Sequence, residues 1–111
     1  MTFERFAVHF VEFPFSDKPR QKGRPALVLT DREFAVATGN VTVAMITSAR
    51  HSAWPGDCVI DDLGAAGLTR GSMVRMRFAT IAVQRIGKSH GRLTDADRSR
   101  VTHALRGQLG L

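Results

Sequence analysis

The stretch KGRPALVL, Lys22 to Leu29, restricts the fold more than any other part of the chain. Pro25 has no backbone N–H, so it fits at the start of a strand and poorly further in. The residues behind it, Ala26-Leu27-Val28-Leu29, are apolar at odd and even positions alike. That pattern reads as a short strand buried on both sides. Arg24 is thereby held at the mouth of a rigid, buried element, with no obvious acid to pair with it.

The other apolar segments are also short and are separated by turn residues. RFAVHFVEF (5–13) alternates, with Phe6, Val8 and Phe10 on one face and Ala7, His9, Val11 and Phe13 on the other. Pro14 ends that strand, and SDKPRQKG is a polar loop. A second strand is predicted from about Arg24 to Thr30. ATGN (37–40) makes a turn, and the β-branched VTVAMITS (41–48) is a third strand. ARHSAWPG is a loop, DCVID (57–61) a short strand, and DLGAAGLTRGS a glycine-broken connection. MVRMRFATIAV (73–83) is the last long strand.

The tail changes period. Thr94 precedes Asp95-Ala96-Asp97, an N-cap followed by acids where the helix dipole favours them. Val101, Leu105 and Leu109 then recur every four residues, one apolar stripe on a helix ending at Gly110. Five strands and a closing helix predict a mainly β (α+β) fold: a small, strongly bent, SH3-like antiparallel barrel partly covered by the helix. No repeat, linker or low-complexity tract interrupts the 111 residues, which are read as one domain, 1–111, with one modest core.

Charge points outward to a partner. The net charge is +6. Between Leu63 and Thr94 there is no acidic residue, while Arg70, Arg75, Arg77, Arg85, Lys88 and Arg92 all fall there. Lys18, Arg20, Lys22 and Arg24 repeat the pattern at alternate positions. Two acid-free basic blocks imply a polyanion, either nucleic acid or an acidic protein segment. The start of the chain lacks the uninterrupted apolar region of a signal peptide. No segment approaches the roughly 18 apolar residues needed to span a bilayer. One cysteine, Cys58, allows no internal disulfide, so the cytoplasm is the expected compartment and the thiol is read as a small core hydrophobe.

Candidate chemistry is sparse. His9, His51, His90 and His103 show no paired ligand spacing, so neither metal nor cofactor is expected. There is no glycine-rich phosphate loop and no nucleophile elbow. Thr47 and Ser48 close the third strand, where hydroxyls can cap a ladder or serve a site. Arg75 and Arg77, two apart on a strand, project to one face and need an anion between them, for which an external one is the economical guess. Trp54 is either packed on the barrel or a dimer contact, or a platform for an unpaired base.

Taken in order, VEFPFSD, GRPALVL, ITS, AGL with the later Ser-x-Val-Arg, and RIG with GRLTDAD resemble the MazF/PemK group of toxin ribonucleases. The resemblance implies a CcdB/MazF-type barrel, a homodimer, and metal-independent cleavage of single-stranded RNA. It also implies attack by the ribose 2′-hydroxyl, giving 2′,3′-cyclic phosphate and 5′-hydroxyl ends, and inhibition by a cognate acidic antitoxin. Carried over, the arginine of the family's Arg-Pro motif is Arg24 and the threonine of its Thr-Ser motif is Thr47, the two catalytic candidates. Arg75 is the arginine after the Ser-x-Val element. Lys18, Arg20, Lys22, Ser48, Trp54, Arg75 and Arg77 form the candidate RNA-binding set.

Four departures stand out. Arg77 occupies a position where some members carry an aspartate. The first loop lacks the histidine that some members use. Phe6-Ala7 replaces a usual Gly-Asp, and KSH lengthens the final turn. Arginine is a poor base, so the general base stays open among His9, His51 and Asp17. Two alternatives accompany the nuclease: a non-enzymatic gyrase poison resembling CcdB, and an RNA-binding module without catalysis.

Overall fold

Period-two alternation in the apolar segments becomes a six-stranded antiparallel sheet. The computed structural model describes residues 3–12, 23–51 and 53–111. The elements are β1 (Ala7–Val11), β2 (Arg24–Val28), α1 (Arg32–Thr38), β3 (Asn40–Ser48), β4 (Cys58–Val59), β5 (Ser72–Ala82), a 3-10 turn (Val83–Arg85), β6 (Ile86–Arg92) and α2 (Asp95–Leu109). Their order in the sheet is β4-β5-β3-β2-β1-β6. β4 and β6 are its edges, so among the described residues the expected barrel is a sheet that does not close.

The strand after Pro25 is buried on both faces, as its composition predicts. Leu27 joins one apolar cluster with Val8, Ala44, Ile46, Val74 and Val101 of α2. Its neighbours Ala26 and Val28 join a second, with Val11, Val41, Val43 and Ile81. Pro25 stands opposite Phe10 of β1, and the ladder to β3 begins only at Ala26. A residue with no amide donor thus sits where no donor to β3 is required.

Two elements lie outside the expected set. α1 is capped at both ends: the Asp31 carboxylate accepts from Phe34 N at 2.9 Å, and Gly39 closes the helix in the left-handed region. It contains no buried residue, so it lacks the apolar stripe that announces a helix. β6, with the sequence IGKSHGR, buries only its first residue and pairs with β1 through two register shifts. Such an edge strand has no alternation to read.

Two close contacts fix the connection between β4 and β5. Gly67 has φ +72, and a Cβ there would lie 1.9 Å from the His90 carbonyl oxygen. A Cβ on Gly91 would lie 2.2 Å from the Ala65 carbonyl oxygen. Only glycines permit this approach of loop to strand. Arg92 N donates to Ala65 O across it at 3.0 Å.

The second anchor is Asp97, 2% exposed in the first turn of α2. Its amide donates to the capping Thr94 hydroxyl. Its carboxylate accepts from the backbone amides of Asp61 and Asp62, each at 3.1 Å, and pairs with Arg100. Replacing Asp97 by Ala strands two amides and is expected to cost about 3 kcal/mol in urea denaturation. Asp95→Ala, in full solvent contact, should leave the midpoint nearly unchanged.

Cys58 is half-buried and packs against the first cluster. Burial pushes its thiol above the ordinary range, Arg100 opposes that, and Asp57 adds to it. Less thiolate means slower alkylation, so iodoacetamide should modify the folded chain more slowly than the urea-unfolded one at pH 8.

Candidate active site

Arg24 opens β2 and Thr47 is the penultimate residue of β3. The ladder between these strands pairs Val28 with Val43, Leu27 with Ala44, and Ala26 with Met45. That ladder ends at Ala26 and Met45, and Arg24 and Thr47 each lie two residues beyond it, at the same open end of the strand pair. Both residues line one pocket of about 340 Å³, together with Phe10, Ser48, His51 and Arg70. Arg24 is exposed and Thr47 is 8% exposed.

The turn after β3 completes the wall. Arg50 N donates to the Ser48 hydroxyl at 3.3 Å, and His51 N donates to Ser48 O at 3.1 Å. The Ser48 side chain therefore serves the turn. Ala49 N donates to Gly71 O at 3.0 Å, which ties the turn to the loop carrying Arg70. An adjoining cavity of about 640 Å³ shares Ser48, Arg70 and Gly71 and adds Arg50. Arg24 and Arg70 thus line the first cavity and Arg50 and Arg70 the second, and no carboxylate lines either one among the described residues. None of the three is in an ion pair among the described residues. Arg70 was not in the expected site, whereas His51 was one of the three candidate bases. The acid-free block that includes Arg70 was the available signal.

Arg75 has a different environment from the one expected. Its guanidinium grips the Asp57 carboxylate with two contacts, Nε to Oδ1 at 3.2 Å and Nη2 to Oδ2 at 3.1 Å. The anion expected from outside is supplied by the chain itself, across the sheet where Cys58 pairs with Val74. Both side chains are nearly buried, at 13% and 11% exposed. The same carboxylate accepts from Trp54 N at 2.9 Å, and the Arg75 guanidinium lies 5.4 Å from the indole centroid. Trp54 is consequently held at its backbone and backed on one ring face, while 42% of it stays exposed.

Arg77 is half-buried two residues on. The register steps from Met45 opposite Arg75 to Ala44 opposite Phe78, so Met76 and Arg77 form a bulge that redirects the strand.

The other candidates scatter. His9 is 1% exposed, and its Nδ1–H donates to Gly87 O at 2.9 Å, so this candidate base is sealed in the core. His90 stacks on Phe10 at 4.1 Å. Lys18, Arg20, Lys22 and Asp17 lie outside the described residues.

Residues 4–109 match the family described as PemK-like, MazF-like toxin of type II toxin-antitoxin system. The chain belongs to that family. Its fold is also that of solved MazF toxins. It superposes on the Mycobacterium tuberculosis toxin MazF-mt6 with a TM-score of 0.75 and 25% identity, covering 95% of this chain and 97% of that one. MazF from Deinococcus radiodurans gives 0.76 and 20%, over 100% and 99% of the two chains. An endoribonuclease from a mycobacterial species, solved with its cognate antitoxin, gives 0.75 and 19%, over 98% and 96%. None of the curated proteins matches the chain.

Trp54 is the single tryptophan, so its emission reports on the Asp57–Arg75 pair. Asp57→Asn weakens the grip on Arg75 and should shift that emission to longer wavelength and lower its anisotropy. Unchanged emission would mean the ring is held by other contacts.

Proposed function

We propose that this toxin is a metal-independent, sequence-selective endoribonuclease acting on single-stranded RNA. The supporting observation is the shared pocket of Arg24 and Thr47, which Arg70 also lines, with no carboxylate on its described walls. Attack by a 2′-hydroxyl builds negative charge on the non-bridging phosphate oxygens, and preorganised donors aimed there are the largest single catalytic contribution in many enzymes. Arg24 offers a planar fork matched to phosphate, and the Thr47 hydroxyl donates beside it. The products are a 2′,3′-cyclic phosphate and a 5′-hydroxyl.

Arg50, Arg70 and the loop cations Lys18, Arg20 and Lys22 track the flanking backbone. Trp54 stacks an unpaired base, and Arg75 serves binding by backing that ring rather than by meeting phosphate. Arg77 extends the basic surface. A cognate antitoxin with an acidic segment neutralises the same cations, and the toxin works as a homodimer in the cytoplasm. No helix among the described residues is long and apolar enough to cross a membrane.

Incubation with single-stranded RNA in excess chelator tests this reading. Wild-type protein should cleave and leave cyclic phosphate ends, and Arg24→Ala and Thr47→Ala should each slow cleavage by roughly two to three decades without loss of fold. Tight, salt-sensitive binding with intact RNA would instead select the binding module, and gyrase inhibition with intact RNA the gyrase poison.

A further inference from the structure

We propose that His51 is the general base that activates the 2′-hydroxyl, an assignment that rests on the nuclease reading above. The reaction needs a group that can accept a proton near neutral pH. Among the described residues lining the pocket with Arg24 and Thr47, His51 is the one side chain of that kind. Its companions on the wall are guanidiniums, hydroxyls, backbone and apolar groups, none of which is an effective base. The charged groups lining the pocket with it are Arg24 from β2 and Arg70 from the loop before β5, and Arg50 on its own turn lines the adjoining cavity, all cations.

The other described histidines do not line this pocket. His9 is sealed in the core, His90 is stacked on Phe10, and His103 lines a separate cleft on α2. His51 is also placed by structure rather than by chance of a loose loop. Its amide donates to Ser48 O at 3.1 Å, closing a tight turn four residues beyond Thr47. The side chain is exposed and open to substrate.

In the step itself, an imidazole nitrogen takes the 2′-hydroxyl proton as O2′ bonds to phosphorus. The P–O5′ bond breaks, its electron pair leaves with O5′, and O5′ takes a proton from water. The imidazolium then returns its proton to the hydroxide so formed. Arg24 and Thr47 hold the non-bridging oxygens throughout.

The test compares wild-type and His51→Ala protein on a short single-stranded RNA, with circular dichroism confirming the fold. His51→Ala should lower kcat by about two to four decades while KM changes little. The acidic limb of the wild-type pH–rate profile should vanish in the variant, and added imidazole should restore cleavage in proportion to its concentration. A substrate with sulfur in place of O5′ separates base from acid, because thiolate departs without a proton. The variant should remain as impaired on that substrate. Recovery to wild-type rate there would make His51 the acid and overturn the assignment, as would equal cleavage by variant and wild type on ordinary RNA. A wild-type protein that cleaves no RNA would overturn the nuclease reading and this assignment with it.

Discussion

The register between β2 and β3 is the constraint on which the rest of the molecule depends. Each strand is buried on both faces, so a slip by one residue would exchange every side chain between the two apolar clusters. Burial of a Val or Leu side chain contributes about 1.5–3 kcal/mol, and four such residues from these strands, Leu27, Val28, Val41 and Val43, lie wholly inside. Pro25 limits the other kind of slip, since it cannot donate within a ladder and stands just before this one begins. The pairing that satisfies the core also brings Arg24 and Thr47 to one pocket.

A second chain of causes positions the opposite wall. Asp97 holds the amides of residues 61 and 62 from the start of α2, and the contact between Gly67 and Gly91 presses the same connection onto β6. Pinned at both points, that connection delivers Arg70 and Gly71 to the turn at Ser48. The helix that looks remote from the pocket therefore sets part of its shape. The cations meet there because backbone contacts bring them together against their mutual repulsion.

Much of this was legible in the chain. The two-sided burial of ALVL, the strand ending in Thr47 and Ser48, and the capped helix from Asp95 followed from periodicity and cap chemistry. α1 was missed because caps alone define it, and β6 because its IGKSHGR has no alternation. The pairing of Arg75 with Asp57 was invisible because the two residues are 18 apart and meet only when β4 pairs with β5. The place of Arg70 was likewise hidden, and His51 could not be singled out from the other candidate bases, since turns and connections carry no period that aims a side chain.

Phe6 shows how a strained backbone position is accommodated. Its φ of +69 keeps the left-handed backbone that a glycine would adopt readily, at a cost of about 1–2 kcal/mol for a residue with a Cβ. The ring is 7% exposed in the first cluster and lies 5.0 Å from the Arg98 guanidinium. Burial of a phenylalanine contributes about 1.5–3 kcal/mol, enough to offset the strain. The measurement that bears most directly on the whole account is a double-mutant cycle on single-turnover RNA cleavage with R24A, T47A and the R24A/T47A double variant. Two donors gripping one phosphate should be strongly coupled, so the double variant should lose much less than the product of the single losses. Strict multiplicativity would mean that the two residues act at separate places, contrary to the shared pocket on which the site is built.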